Sequence, residues 1–314
     1  MNKFSKVVIL GGTGFIGAQL ATKLSPKSEK IVIPTRNIES NSGLKLIPNL
    51  KIVKSDIKDE RSINQLFKDA DLIINTVGIL NELDEDNSFD KIHYQITKKI
   101  SHCIKKNNVK RYLHISSLNA DPKSIGKYLK SKGQAEDFLI SETSSFCKLT
   151  IFRPSIVFGE SDSFFNKFAT LLKFLPIFPL ACPNAKFMPV YVEDLTDFMI
   201  STINNVDSYG KKIDVTGPNE YTFRELINQT LIALKIKRII IPLNNFLSQV
   251  QARVFEKLPG KLFTMDNYQS LQIDSCSDKG FKGSSSIEDI IPRYLNIKYK
   301  QERFEKLRKK SGRK

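Results

Sequence analysis

Val7-Val8-Ile9-Leu10-Gly11-Gly12-Thr13-Gly14-Phe15-Ile16-Gly17, close to the start of the chain, decides the reading of everything after it. Its first four residues are apolar and rich in β-branched types, which suits a strand buried in a parallel sheet. The next run, Ala18-Gln19-Leu20-Ala21-Thr22-Lys23-Leu24, reads as a helix. Between them, Gly12, Gly14 and Gly17 satisfy the dinucleotide pattern GxGxxG, and Gly11, Gly14 and Gly17 satisfy the GxxGxxG variant. One glycine permits the tight turn, one lets the backbone approach a pyrophosphate, and one lets the helix pack closely on the strand. The helix N-terminus adds free N–H groups and a positive dipole end. An ordinary strand–turn–helix is the plain alternative. The strand before and the helix after favour a dinucleotide site formed by Gly11, Gly12, Thr13, Gly14, Phe15, Ile16 and Gly17.

Outward from this motif the chain alternates strands and helices. Lys30-Ile31-Val32-Ile33-Pro34 is a second strand, followed by Thr35-Arg36-Asn37. An acid here, roughly 20 residues past the glycines, would hold the adenosine ribose of NAD. Arg36 stands there instead, which favours a 2′-phosphate and NADP(H) over NAD(H), a solvated loop arginine being the bland alternative. Leu50-Lys51-Ile52-Val53-Lys54 is the third strand and ends at Ser55-Asp56-Ile57. Asp56 is placed to meet the adenine edge or to cap a helix beginning near Asp59. The fourth strand, Leu72-Ile73-Ile74-Asn75-Thr76-Val77-Gly78, ends in a small-residue turn suited to lie over the cofactor. A long helix is expected from Phe89 to Asn107, then a fifth strand, Arg111-Tyr112-Leu113-His114-Ile115, running into Ser116 and Ser117. Such alternation with short loops specifies an α/β fold, a Rossmann doubly wound parallel sheet.

Tyr128-Leu129-Lys130-Ser131-Lys132 has the form YxxxK and precedes a helical run, Gln134 to Ile140. Residues four apart on a helix share a face. A lysine ammonium beside a phenol favours the phenolate. Tyr128 is therefore a candidate general acid/base toward a carbonyl or alcohol, with Ser117 orienting the oxygen and Lys132 also reaching the nicotinamide ribose.

Composition sets the outer limits. The 314 residues are 40% hydrophobic and 26% charged, as in soluble globular proteins. The longest apolar run, Phe174 to Cys182, carries two prolines and is too short to span a bilayer. With the first strand so near Met1, no signal peptide is expected, and the protein is expected to be cytoplasmic, peripheral at most on the cytoplasmic face of the inner membrane. Cys103, Cys147, Cys182 and Cys276 show no CxxC pair, and His93, His102 and His114 no ligand spacing, so no metal site is expected. His114, inside an apolar strand pattern, reads as a core residue. The net charge is +16. Residues 298–314 contribute nine Lys/Arg against Glu302 and Glu305, either a solvated tail or an attachment to an anionic membrane or a large acidic assembly. Nucleic acid ranks lower because no recognition motif accompanies the charge. The aromatic stretch Phe164 to Pro179 reads first as subdomain core and second as a docking patch.

Taken together, the glycine motif, Ser117, Tyr128/Lys132 and Arg153-Pro154-Ser155-Ile156-Val157-Phe158-Gly159 resemble an extended or atypical short-chain dehydrogenase/reductase, the NAD-dependent epimerase/dehydratase type. Met188-Pro189-Val190-Tyr191-Val192-Glu193-Asp194 resembles a further landmark of that superfamily. The resemblance implies that Ser116, Pro154 and Ser155 pass beside the nicotinamide and that a small, mostly helical C-terminal lid shapes the substrate pocket. His114 to Ala120, the helix start Lys127-Tyr128-Leu129, Phe164 to Phe168, and Leu258-Pro259-Gly260-Lys261 with Thr264-Met265-Asp266-Asn267-Tyr268 are similar to one branch: the alpha-subcomplex subunit nine accessory proteins of respiratory complex I (NADH:ubiquinone oxidoreductase) and their bacterial homologues. That branch implies a tightly held NADPH, a structural or regulatory role beside the quinone-reducing region, partners among the NADH dehydrogenase subunits, and a link to ubiquinone metabolism. Ser117 stands where the animal proteins carry His, which keeps open an active NADP-dependent reductase, dehydrogenase or epimerase on a small or quinone-related carbonyl substrate. The expected domains are residues 1–158 with about 186–218 as the Rossmann domain, 159–185 and 219–297 as the lid, and 298–314 as the basic tail.

Overall fold

The computed structural model describes residues 3–38, 42–258, 261 and 263–296. The basic tail, and Pro259 and Gly260 of the branch signature, lie outside the described residues. The chain divides into two compact units: Met1–Pro154 with Leu195–Val215 and Lys279–Phe281, and Ser155–Asp194 with Thr216–Asp278 and Lys282–Lys314.

The first unit is built on β1 (Val7–Leu10), β2 (Ile31–Thr35), β3 (Leu50–Lys54), β4 (Leu72–Asn75), β5 (Arg111–Ile115) and β6 (Lys148–Pro154). They lie in the order β3-β2-β1-β4-β5-β6, and the strands Lys211–Thr216 and Phe281–Lys282 extend the sheet beyond β6 to eight strands. The pairs from β3 across to Lys211–Thr216 are all parallel. β1, β2 and β4 are buried on both faces, which is why they read as near-continuous apolar runs. β3 is the edge, and its Lys51 and Lys54 stay exposed, a guard against further pairing.

Four helices of this unit flank the site: α1 (Phe15–Leu24), α2 (Glu60–Phe67), α3 (Ile96–Lys106) and α4 (Lys127–Ser141). Asp59 caps α2, accepting from the Ser62 and Arg61 amides at 2.9 and 3.3 Å. Asp56 is therefore not the cap; its carboxylate accepts from Lys58 N at 2.9 Å in a local turn. The helix expected from Phe89 opens with a π-helical turn, Asp90–Gln95, before α3 proper. α4 begins at Lys127, where the helix start was expected, and continues through the run from Gln134; its buried face carries Ser131, Lys132 and Gly133 rather than an apolar stripe. His114 is buried, with Asn75 Nδ2 and the Tyr112 hydroxyl 3.2 and 3.0 Å from its Nδ1.

The second unit has an aromatic core. Phe164 lies 5.0 and 4.9 Å, ring to ring, from Phe165 and Phe168, and Phe223 joins them at 5.9 and 5.4 Å from Phe164 and Phe168. The stretch from Phe164 thus packs inward through its first half. Helices Phe165–Phe174, Phe223–Leu234 and Ile287–Leu295 enclose this core. Thr222 and Glu225 form a capping box on the second of them. The buried Asp162 caps the first, accepting from Phe165 N at 2.6 Å and from the Tyr294 hydroxyl at 2.7 Å. A parallel two-stranded ribbon pairs Ile177–Leu180 with Ile239–Pro242, and helix Asn245–Glu256 follows it.

The unit boundaries differ from the expected domains. Residues 155–158, 186–194 and 217–218 fall in the second unit, not with the Rossmann sheet. Their short strands pair with one another, Val190–Tyr191 on Val157–Phe158 and Lys186–Phe187 on Tyr221–Thr222, rather than joining the central ladder. Among the described residues no helix is long and apolar enough to cross a membrane.

Candidate functional site

Strand order reverses between β1 and β4, with β2 lying on one side of β1 and β4 on the other, and open α/β sheets bind ligands at the C-terminal ends of strands at such a point. A cleft of about 410 Å³ lies there, entirely within the first unit. The ends of four strands line it: Gly11, Thr13 and Gly14 after β1, Thr35 and Arg36 at β2, Asp56 and Ile57 after β3. Thr76, Val77 and Gly78 complete it after β4.

The glycine turn is built as the motif requires. Gly11 has φ +75°, and a Cβ there would sit 2.7 Å from Thr76 Oγ1. Gly17 permits the close packing of helix on strand, since its Cβ would fall 2.4 Å from Gly11 O. Gly12 is buried against Ile33 instead of facing the cleft. Gly14 is the N-cap of α1 and offers no side-chain cap to the first-turn amides. Phe15, Ile16 and Gly17 open that helix, so their N–H groups are the donors available to an anion. An uncapped helix start, a turn with no room for side chains and a cleft running past four strand ends fit a dinucleotide.

Arg36 is exposed on the cleft wall. Beside it the Thr35 hydroxyl donates to Asn37 O at 3.1 Å, shaping the turn. Lys58, unmarked by the sequence reading, also lines the cleft, and its ammonium donates to Asp86 O at 2.8 Å and Asn87 Oδ1 at 3.0 Å.

Ser116 and Ser117 follow β5, and Tyr128 and Lys132 occupy the first two turns of α4. Lys132 is buried, with Nζ donating to Ile115 O at 3.2 Å, and a Cβ on Gly78 would lie 3.3 Å from that Nζ. The lysine therefore reaches the cleft's rim. Burial pushes its ammonium down to about 8, partly offset by Glu136 one turn along. Glu136 is itself fully buried and paired with Arg153, Nε to Oε1 2.8 Å, and with Lys212 at 3.2 Å. The Ser117 hydroxyl donates to Leu118 O at 3.3 Å. Ser116 Oγ and His114 Nε2 are buried with no hydrogen-bond partner among the described residues.

His93 is the residue the sequence reading missed. It sits in the π-helical turn; Ile79 N donates to its Nε2 at 3.1 Å, so Nδ1 carries the proton and donates to Ser131 Oγ at 2.9 Å. Ser131 in turn donates to Tyr128 O at 2.9 Å. Burial, with the Lys132 charge second, holds the imidazole well below its ordinary range and hence neutral. Its ring and that of Phe89 both meet the Tyr128 ring edge-on, at 5.5 and 5.6 Å. π-Helical turns recur at functional sites, which is the signal a reader of sequence would have needed. Pro154 ends β6 in the first unit, whereas Ser155 belongs to the second, where its hydroxyl donates to Ser275 O at 2.8 Å. Neither lines the cleft.

The model of the NAD dependent epimerase/dehydratase family matches residues 7–216. Over 298 residues the chain is 30% identical to NADH dehydrogenase (ubiquinone) 1 alpha subcomplex subunit 9, mitochondrial, of Rattus norvegicus, covering 92% of this chain and 77% of that protein. The protein of the same name from Arabidopsis thaliana is 27% identical over 307 residues, covering 91% and 74%. Among solved structures, a dTDP-glucose 4,6-dehydratase from Streptomyces venezuelae with NAD and TYD bound superposes with TM-score 0.72 at 17% identity, over 95% of this chain and 97% of that one, a likeness of fold.

Proposed function

The chain belongs to the NAD dependent epimerase/dehydratase family, and on that premise we propose that it holds NADP(H) as an accessory or assembly component of a respiratory NADH:ubiquinone oxidoreductase. The observation that carries the cofactor half is the cleft, with its uncapped glycine turn at one wall and Arg36, not an acid, at the end of β2. A guanidinium pairs bidentately with a phosphate and has no counterpart in an unphosphorylated ribose. Titration with NADPH and NADH separates the cases: NADPH binds tighter by about tenfold or more, and Arg36→Ala erases the difference. An Arg36→Ala protein that still prefers NADPH refutes the assignment.

The names of the relatives support the accessory half. On this reading the protein is cytoplasmic and peripheral on the membrane that carries the complex, close to its quinone chemistry. Native electrophoresis of gently solubilised membranes tests it. Co-migration with NADH dehydrogenase activity is expected; migration alone near 35.7 kDa counts against it.

A second reading rests on Lys132 beside Gly78 and on Tyr128 one helical turn before it. A bound nicotinamide supplies a hydride donor or acceptor. Tyr128 would pass the proton to or from a carbonyl oxygen, Ser117 would orient that oxygen, and Lys132 would supply positive charge. Tyr128→Phe then leaves cofactor affinity unchanged and abolishes turnover on quinone-related carbonyl compounds. Normal respiration in cells carrying Tyr128→Phe favours the accessory reading.

A further inference from the structure

We propose that the second unit docks on an anionic lipid bilayer through one apolar face, made by helix Asn245–Glu256 and the outer side of the Ile177–Leu180/Ile239–Pro242 ribbon.

The helix is packed the wrong way round for a solvent-facing element. Phe246, Val250 and Val254 recur every four residues on one stripe, with Leu258 two residues past the helix end, and they are 70%, 38%, 52% and 46% exposed. The residues turned inward are Ser248 and Ala252, both fully buried. Ser248 Oγ accepts from Cys182 N at 3.2 Å, and Gln249 Nε2 donates to the Tyr268 hydroxyl at 3.1 Å. A surface helix ordinarily buries its apolar face and shows its polar one. This one does the reverse.

The ribbon continues the same surface. Phe178 and Leu180 face the core, so Ile177 and Pro179 face outward, opposite Ile239 and Ile241 across the ladder. Ile239 is 62% exposed and Ile177 50%. Gln251 Nε2 donates to Pro179 O at 3.0 Å, tying the helix to the ribbon. Phe174, three residues before Ile177, is 80% exposed.

Charge selects the occupant. Residues 235–261 carry six Lys/Arg and a single acid, Glu256. Lys173, Lys235, Lys237, Arg253 and Lys257 are exposed around the apolar side chains. Apolar side chains fringed by cations suit the headgroup boundary of an anionic membrane, where the rings enter and the ammonium groups meet lipid phosphate. A second copy of this chain would bring like charges together instead. The basic sequence of residues 298–314 follows the last helix of this same unit and adds attraction of the same sign.

Co-sedimentation of the full chain with vesicles of phosphatidylcholine and phosphatidylglycerol is the test, with phosphatidylcholine vesicles alone beside it. The protein is expected to sediment with the anionic vesicles, less so in high salt. Phe246→Ser with Val254→Ser, both at exposed positions, is expected to weaken this on the order of a hundredfold with unchanged thermal unfolding. Lys235→Gln with Lys257→Gln leaves the apolar face intact and is expected to cost about fivefold per charge. Removal of residues 298–314 weakens but does not abolish binding. Binding untouched by the Phe246/Val254 pair, binding lost with the tail alone, no binding by the parent chain, or a dimer dispersed by the same substitutions each overturns the proposal.

Discussion

Ile31-Val32-Ile33-Pro34 and Ile239-Ile240-Ile241-Pro242 are nearly the same tetrapeptide with opposite fates. The first lies in β2, between β1 and β3, and is buried throughout. The second lies in a two-stranded ribbon, and three of its four residues are exposed. Both are β-branched runs closed by proline, so local propensity cannot tell them apart. Neighbours decide: a strand inside a wide parallel sheet is covered on both faces, whereas a ribbon can cover one. The Rossmann unit spends its apolar residues on itself. The second unit keeps some in reserve.

The contrast can be broken most directly by trimming equivalent residues. Ile33→Ala removes a fully buried side chain and is expected to cost about 2–5 kcal/mol in denaturant unfolding. Ile241→Ala, at 44% exposure, is expected to stay within about 0.5 kcal/mol. Comparable losses at both sites would mean that the ribbon is covered after all.

Buried charge gives a second contrast, in pH. The folded Lys132 ammonium lies near 8 against its ordinary 10.5, so between those values the unfolded chain binds more protons than the folded one. Its burial penalty is full below pH 8 and is relieved as pH rises toward 10.5. The stability difference between the parent and Lys132→Met should therefore shrink across that window by on the order of 3 kcal/mol. Asp162 in the second unit slopes the other way, because burial raises its carboxyl and the penalty is relieved as pH falls. A flat difference for Lys132→Met would mean that its ammonium is hydrated.

Smaller effects sharpen the picture. A Cβ on Gly12 would lie 2.7–2.9 Å from three Ile33 side-chain atoms, so Gly12→Ala should overpack by about 1–3 kcal/mol. Combined with Ile33→Ala, it should cost less than the two changes added, by on the order of 1 kcal/mol. Simple additivity would mean that the turn has moved away from β2. Thr222→Ala, which removes the capping box of helix Phe223–Leu234, should cost about 1 kcal/mol in the same assay. No loss would mean that the aromatic core alone holds that helix.

The Rossmann sheet was legible because its strands are apolar on both faces and end in glycine or small polar residues, as β1 and β4 do. The cleft-lining turns followed from those ends. The start of α4 at Lys127 was legible from its motif and not from hydrophobic periodicity, because Lys132 and Ser131 occupy buried positions that periodicity assigns to apolar residues. The part played by His93 depends on a π-helical turn and on Ile79 N, neither of which spacing along the chain reveals. At residues 155–158 and 186–194 the compact units divide the chain differently from the expected domains, because strands of two residues are too short to show a period. Which side helix Asn245–Glu256 buries depends on its bonds to Cys182 and Tyr268, which spacing along the chain does not reveal.

The interleaving of the two units has a consequence during synthesis. Strand β6 ends at Pro154, and its parallel neighbour on the outer side begins at Lys211, after the chain has passed through the first part of the other unit. A ribosome adding about 5–20 residues per second takes several seconds over that detour. For that interval the nascent sheet offers an unpaired β6 edge, to be met by a chaperone or by its own late-arriving strand.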